Sequence, residues 1–395
     1  MHKKKELIQF FPCFYASFFI GMVALEIGVI LPYLMEELSL SYTLAGGIIS
    51  AFAIGNLISS LANSFIFKKI NEKIVAIFFS AVMTICLFML TVLPSYHFLY
   101  VLVAVIGIGR GSINIFVYAS ANNKDYGNPR YVHLLSVIFS IGALMAPVLT
   151  SLLIYAGLGW RQVVYLFVCL SALVPVLLVT YHPMVKMERE NSSVSIDKGL
   201  YARAENNKSY IKNPGFYVLG FILFFYLGLE NCVNGWFVQY FKDMNIMTDS
   251  FANMLVSITW FLVIVGRLVS TYLVGKIQKR KLILMHCVGA ALFFILLIST
   301  KQIHLITVAM IGLGFFFAGI YPSCIASSRK ILDGSAAGMS LLMAIASLGG
   351  ILIPQLIGVV ADLMGLVSGI LYLIIIMLCM VIFAVVNYYR KFSEY

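Results

Sequence analysis

Twelve apolar stretches, each long enough to cross a lipid bilayer, recur along this chain of 395 residues. They begin near residues 8, 43, 74, 97, 131, 160, 214, 250, 281, 304, 335 and 366, and each has about the 20 residues that a helix needs to span the hydrocarbon core. With 62% hydrophobic and 11% charged residues, the composition excludes an ordinary soluble core. We therefore predict an all-α membrane protein with twelve transmembrane helices. The first stretch is too long for the apolar region of a signal peptide, and we expect it to be retained.

The basic residues follow the topology of these spans. Of the 27 Lys and Arg residues, 22 fall in the terminal segments and the loops on their side of the membrane, three in the opposite loops and two within spans. This asymmetry is the positive-inside pattern, and it predicts a plasma (inner) membrane protein with both termini in the cytoplasm. The net charge of +11 is thereby explained without a nucleic-acid partner.

The longest polar stretch divides the chain into two halves that repeat in sequence. Residues 183–213 are charged and poor in apolar residues, as expected for a cytoplasmic linker between membrane domains at 1–182 and 214–395. The segment "SIGALMAP" at 140–147 matches "SLGGILIP" at 347–354, an offset of 207 residues. "GNLISS" and "GRLVST" match in the same way, as do "IGIG" and "IGLG". Six spans in each half preserve the orientation, so the repeat is parallel.

These motifs resemble those of the major facilitator superfamily, in particular its fucose permease-like branch, and the resemblance covers most of the chain. The fourth span carries "GIGRG", the fifth "HLLSVIFSIGALMAP", the eleventh "SLGGILIP", and the eighth ends in "GRLVSTYLVGKIQKRK". The resemblance implies two six-helix bundles related by a pseudo-two-fold axis along the membrane normal, a monomer, and transport by alternating access. The loop signature after the second span is degraded, since "SFIFKKINEK" lacks its leading Gly and its Asp.

A charged side chain in the middle of the fourth span is the first candidate for function. Arg110 is followed at intervals of four residues by Asn114, Tyr118 and Asn122, so a polar stripe runs along one helix face. An ionisable residue at mid-bilayer is expensive unless water, a partner or a ligand meets it. The resemblance places the first, fourth, seventh and tenth spans around a central cavity, and we expect the stripe there. A structural cation bonded to backbone carbonyls is the alternative.

Two acids lie deep within spans that the resemblance places around the same cavity, Glu26 in the first and Glu230 in the seventh. Two carboxylates facing Arg110 would leave a negative charge uncompensated, and uptake of a proton is the expected compensation. We therefore predict Glu230 and Glu26 as proton-coupling residues. The alternative is a buried structural acid, and Glu26 also lies nearer the outer mouth.

The seventh span combines side chains that suit a polyhydroxylated ligand. Carboxylates and amides can bond hydroxyl groups, while aromatic rings stack on the apolar faces of a sugar. Aromatic residues near a span end can instead be interface anchors. The predicted substrate-binding residues are Arg110, Asn114, Tyr118, Tyr226, Asn234, Trp236, Gln239 and Tyr321, with Asn56 and Trp260 as further cavity candidates.

Structural or gating roles are expected for Gly109, Pro147 and Pro354 within the motifs, and for Arg267. Arg267 lies about nine residues from a basic loop, where it can snorkel or brace the inner gate. The resemblance also leads us to expect an acid or polar group one turn after the glycines of the fourth span. This chain has Asn114 there, so the proton role falls to Glu230 or Glu26, or Arg110 holds an anionic substrate.

The leading hypothesis is a secondary transporter, a proton symporter of a sugar or another small polar solute in the lipid bilayer. The alternatives are an organic-anion transporter or exchanger in which Arg110 binds the carboxylate, and drug efflux. No enzyme motif, nucleotide site or cofactor site is present in the sequence, and the seven cysteines form no CxxC pair, so no thiol metal site is predicted. The direction of transport, the solute and the coupling ion, proton or sodium, stay open.

The predicted orientation can be tested with a single introduced thiol. We expect Ser193→Cys, in the predicted linker, to be shielded from a membrane-impermeant reagent in whole cells, because the 22-to-3 charge asymmetry places this segment in the cytoplasm. Labelling is measured before and after the membrane is made permeable. Efficient labelling of intact cells would overturn the orientation.

Overall fold

Twelve long helices account for most of the chain in the computed structural model, which describes residues 2–66, 70–92, 96–124, 129–181, 209–274, 276–332 and 336–390. The helices are α1 (His2–Leu38), α2 (Tyr42–Ile66), α3 (Glu72–Val92), α4 (Tyr96–Lys124), α5 (Pro129–Tyr155), α6 (Trp160–Thr180), α7 (Pro214–Asp243), α8 (Asp249–Val274), α9 (Lys279–Ser299), α10 (Ile303–Leu332), α11 (Ala336–Met364) and α12 (Leu366–Arg390). Each is long and apolar enough to cross a membrane. The predicted all-α fold with twelve transmembrane helices is confirmed.

Local sequence explains where the second set of six helices begins. Asn213 caps α7, since its side chain accepts a hydrogen bond from the amide of Gly215, and Pro214 occupies the first turn, where its missing N–H costs nothing. A four-residue turn, Ser209–Lys212, precedes this cap. Most of the predicted linker, residues 183–208, lies outside the described residues, so the domain boundaries stay a prediction.

Helices pack in the same order before and after the linker. In the first six, α1 packs against α5, α2 against α4, and α3 against α4 and α6. In the second six, α7 packs against α11, α8 against α10, and α9 against α10 and α12. Each helix therefore has the partners of the helix six places along, as the parallel sequence repeat predicts. We call the two groups the N-half and the C-half.

The repeated glycines lie where helix backbones touch. A Cβ on Gly142 of α5 would stand 1.9 Å from the carbonyl oxygen of Phe18 in α1, and a Cβ on Gly349 of α11 would stand 1.8 Å from that of Phe224 in α7. Gly349 follows Gly142 by the repeat offset of 207 residues. The matching motifs thus mark equivalent contacts at which only glycine fits, which is how helices without a hydrophobic driving force between them pack closely in lipid.

Contacts between the halves concentrate at one end of the molecule. With twelve spans, both termini lie at the same end, which we call the termini end; the opposite end is the far end. The halves meet through α2 with α11, α5 with α8, and α1 with α7. A Cβ on Gly28 of α1 would stand 1.9 Å from the carbonyl oxygen of Asn234, and one on Gly358 of α11 would stand 2.4 Å from that of Tyr42. In the part of the chain described, α4 and α10 are not a closely packed pair, whereas the close contacts between the halves lie toward the far end.

The glycine contacts lead to a stability prediction. We expect Gly142→Ala to destabilise the protein by about 1–3 kcal/mol, because the added methyl group collides with a backbone carbonyl that cannot move alone. The measurement is the midpoint of thermal unfolding in detergent. Gly220→Ala is the control, since a Cβ there would meet its nearest atom at an ordinary 3.4 Å. Equal midpoints for the two variants would contradict this account of the repeat.

Candidate functional site

Arg110 is held by three helices of the N-half. Its Nε donates to the carbonyl oxygen of Ile20 in α1 at 3.2 Å, and its Nη1 donates to Oδ1 of Asn56 in α2 at 2.8 Å. The guanidinium also lies 5.6 Å from the ring centre of Phe52 and 5.4 Å from that of Phe139. Carbonyl, amide and ring faces together make this charge tolerable in an apolar helix. The alternative of a structural cation bonded to backbone carbonyls therefore describes part of the environment of Arg110.

Glu230 faces Arg110 from the C-half. Its Oε1 accepts a hydrogen bond from the hydroxyl of Tyr226, one turn earlier on α7, at 2.8 Å. The carboxyl group interacts electrostatically with Arg267 of α8 first and Arg110 of α4 second. Glu230 is half-buried, although it lies in the middle of its helix. It is thus one acid within electrostatic range of two arginines, one from each half.

Two tyrosines complete the group. Tyr118 of α4 is half-buried and interacts electrostatically with Arg267 and Arg110. Tyr321 of α10 is 37% exposed and interacts with Glu230, Tyr118 and Arg267. We call the six side chains that these interactions join the central cluster: Arg110, Tyr118, Tyr226, Glu230, Arg267 and Tyr321. Asn114, half-buried one turn from Arg110, lies on the same face of α4.

Arg267 connects the cluster to the opposite half. Its Nη1 donates to Oγ of Ser140 in α5 at 2.9 Å, so this C-half arginine bonds directly to the N-half. A contact across the halves fits the structural or gating role predicted for Arg267. What the sequence did not reveal is that Arg267 is also the first electrostatic partner of Glu230.

Glu26 lies apart from the central cluster, which differs from the expected grouping of two acids around Arg110. It is 1% exposed, neither of its oxygens has a hydrogen-bond partner among the described residues, and it is not an electrostatic partner of Arg110. Tyr15 and Glu37, each eleven residues away on α1, contact α6. Eleven residues make about three turns, so Glu26 faces α6 within the N-half. Its role in coupling stays a prediction.

Three predicted ligands on α7 lie toward the far end rather than in the cluster. Trp236 is fully buried, and its indole N–H donates to the carbonyl oxygen of Pro354 in α11 at 3.3 Å. Gln239 donates to Oδ1 of Asp243 at 2.6 Å. Asn234 accepts from the indole of Trp260 at 3.1 Å. These side chains already have protein partners in this state, in which α7 closes against α1 and α11.

Packing explains the remaining predicted positions. A Cβ on Gly109 would stand 2.8 Å from that of Met83, so this glycine brings α4 against α3. Pro147 and Pro354 lie inside α5 and α11, and the carbonyl group of Pro354 faces Gly46 of α2 across the halves. Within the described part of the chain, no group of three His, Cys, Asp or Glu side chains could hold a metal ion.

A second polar group, which the sequence analysis missed, joins the halves at the far end. The hydroxyl of Tyr42 donates to Oδ2 of Asp243 at 2.6 Å, and Lys242 pairs with Glu36 at 2.6 Å. Asp362 of α11 accepts hydrogen bonds from the amides at the start of α2, the first of them that of Tyr42. We call these five residues the far seal. Polar residues at span ends are ordinary in sequence, so nothing in the pattern singled them out.

Comparison with known proteins identifies the family. Residues 13–354 match the Major Facilitator Superfamily. The glucose/mannose transporter GlcP of Bacillus subtilis is 25% identical over 357 residues, 87% of this chain and 86% of that protein. A putative glucose/galactose transporter of Helicobacter pylori is 24% identical over 296 residues, 69% of each chain. The crystal structure of a D-xylose-proton symporter shares the fold, with a TM-score of 0.78 at 14% identity over 96% of each chain. The resemblance noted in the sequence is confirmed: the chain belongs to the Major Facilitator Superfamily and is a secondary transporter.

Proposed function

We propose that the protein carries a sugar, of the hexose class, together with a proton, and that Glu230 takes up the proton. The observation that carries the proposal is the central cluster, in which one carboxylic acid lies between two arginines and three tyrosines at the junction of the halves. The similarity to the glucose/mannose transporter over most of both chains supports the sugar.

The chemistry of the cluster suits a neutral polyol. Tyrosine hydroxyls both donate and accept hydrogen bonds, arginine only donates, and an ionised carboxylate only accepts. A sugar hydroxyl can therefore find both kinds of partner within the cluster, and its apolar ring face can stack on Tyr118 or Tyr321. Asn114 adds an amide on the same face of α4. We propose Asn114, Tyr118, Tyr226 and Tyr321 as the side chains that bind the sugar.

Proton coupling follows from the position of Glu230. Glu230 interacts electrostatically with an arginine of each half. Because the halves move relative to each other in an alternating carrier, the interaction energy of its carboxyl group differs between the two conformations. A proton on Glu230 removes its attraction to Arg110 and Arg267 and so changes the free energy of bringing the halves together around the site. Solute and proton then move together if the halves reorient only when both sites are filled or both are empty.

The orientation completes the proposal. We infer that the termini end faces the cytoplasm of the plasma membrane, supported by the excess of basic residues in the segments at that end. The conformation is then closed toward the outside and open toward the cytoplasm. The domains at 1–182 and 214–395 are the two bodies that would rock about the central cluster, and the chain would act as a monomer.

The proposed role of Glu230 can be tested by removing its charge. We expect Glu230→Gln to retain solute exchange across the membrane and to lose accumulation driven by a proton gradient, because the amide imitates the protonated acid. Both activities are measured in proteoliposomes with labelled glucose, with and without a pH gradient. Glu37→Gln, which removes a far-end carboxylate whose partners Trp160 and Arg161 belong to its own half, should keep both activities. If Glu230→Gln still concentrates the sugar, the coupling acid lies elsewhere and Glu26 becomes the candidate.

The role of Arg110 separates the sugar carrier from the organic-anion alternative. If Arg110 is a counter-charge of Glu230, Arg110→Gln should change the affinity for a neutral sugar only modestly. The same variant should shift the pH profile of transport upward, because Glu230 then keeps its proton to higher pH.

If Arg110 instead binds a substrate carboxylate, Arg110→Gln would abolish anion binding and leave the pH profile unchanged. Arg110→Lys would rescue little, since lysine lacks the planar fork that bonds two carboxylate oxygens at once. Binding of glucose and of a matched uronic acid to the three forms of the protein provides the measurement. Loss of uronate binding with an unchanged pH profile would defeat the counter-charge role.

A further inference from the structure

The first turn of α2 is capped by an acid from the other half of the protein. The amide of Tyr42, the first residue of α2, donates to Oδ1 of Asp362 at 2.7 Å, and the amide of Thr43 donates to Oδ2 at 2.9 Å. The side-chain hydroxyls of Ser41 and Thr43 also lie near this carboxylate. Asp362 stands near the end of α11, so the cap crosses the boundary between the halves.

The cap supplied by the N-half itself is incomplete. Ser41 accepts the amide of Leu44 at 3.3 Å, which leaves the two preceding amides of α2 without a partner in their own half. Helix N-termini carry a partial positive charge and unsatisfied N–H groups, and a carboxylate satisfies both. Asp362 therefore supplies to α2 what its own sequence lacks.

This contact can exist in only one of the two conformations of the transporter. Asp362 reaches α2 because α2 and α11 touch at the far end, where a Cβ on Gly358 would stand 2.4 Å from the carbonyl oxygen of Tyr42. When the far end opens, α11 moves away from α2 and the amides of Tyr42 and Thr43 lose the carboxylate to water. The cap therefore stabilises only the state that is closed at the far end.

The equivalent contact is missing on the other side of the pseudo-two-fold axis. Subtracting the repeat offset of 207 residues from 362 gives 155, and that position in α5 is Tyr155, which is 86% exposed. The start of α8, which α5 faces, has the same single bond from its own half as α2, since Thr248 accepts the amide of Phe251 at 3.4 Å, but the residue in the place of Asp362 is a tyrosine. The cross-half cap is therefore a feature of α2 and α11 rather than of the repeated fold.

We propose that Asp362 is a positioning residue that holds α2 against α11 and sets the equilibrium between the closed and open states of the far end. Removing its charge shifts the transporter toward the state open at the far end. Tyr42 and Asp243 support the same closure through their side chains, but Asp362 acts on the helix terminus itself.

The test measures the distance between the halves at the far end in full-length protein in lipid nanodiscs, without sugar and without a pH gradient. Spin labels are attached at Leu158→Cys and Gln302→Cys, two exposed positions on the far loops of the N-half and the C-half, with Cys169 and Cys379 replaced by serine. We expect Asp362→Ala to raise the ratio of long to short distances roughly tenfold, and Asp362→Asn to raise it less, since the amide keeps one acceptor oxygen.

Glu37→Gln is the matched control. Glu37 is a far-end carboxylate next to Glu36, but its partners Trp160 and Arg161 belong to its own half, so its loss should leave the distance ratio unchanged. A second readout is the labelling rate of Ser50→Cys by an impermeant thiol reagent. Ser50 is 6% exposed and bonds across the seal to the carbonyl oxygen of Ile351, so Asp362→Asn should speed its labelling several-fold.

An unchanged distance ratio in Asp362→Ala, or a shift of the same size in Glu37→Gln, would overturn the proposal. If Asp362→Ala does not fold, Asp362→Asn decides it through both readouts, and native values for this variant would count against Asp362. The result does not depend on the substrate or the coupling ion, because neither is present. If Asp362 proves not to control closure, the proposal of sugar and proton transport is unaffected. If that proposal fails, the role of Asp362 is equally unaffected.

Discussion

The helices within each half of this transporter are held together by close approach of their backbones at glycine. In lipid, backbone N–H and C=O groups must be satisfied within each helix, and no hydrophobic effect drives one helix against another. Van der Waals contact over a matched surface is left as the main attraction. Gly142 and Gly349 allow α5 to touch α1 and α11 to touch α7, with room for no side chain. Every polar group in the centre is positioned by these rigid contacts.

The central charges illustrate how that rigidity is used. Arg110 is fixed by Ile20, Asn56 and two rings of its own half, so its position is set before any partner from the C-half arrives. Within α7, the carboxyl group of Glu230 is held by one hydrogen bond, which it accepts from the hydroxyl of Tyr226. An anchored base and a lightly held acid form a junction in which the acid is free to respond to protonation. A salt bridge bonded fully on both sides would instead lock the halves.

Hydropathy predicted the spans well, because each must cross the same thickness of lipid. Apart from α1, every helix begins within two residues of the predicted start. The direction in which each side chain points around its helix axis was harder to predict. Since α1 is buried on nearly all sides, its apolar pattern gives no sign that Glu26 faces α6 instead of the cavity. Neighbours on other helices were also beyond the sequence. The spacing on α4 indicated that Arg110 and Tyr118 share a face, but nothing indicated that Asn56 bonds Arg110 or that Asp362 caps α2.

The composition of the far end fits a contact that must form and break in every cycle. Gly28, Gly46 and Gly358 let backbones of the two halves meet, and glycine has no side chain whose apolar surface would be exposed to water on separation. Around these contacts, Glu36 with Lys242 and Tyr42 with Asp243 are polar pairs whose partners water can replace at a modest net cost. Large apolar contact across the boundary is also present, since the ring of Trp236 packs against that of Tyr42 with ring centres 6.2 Å apart. Glycine contacts surrounded by hydrogen bonds define the geometry of the closed state. They also keep the cost of opening it small enough to be met by the free energy of binding a small solute.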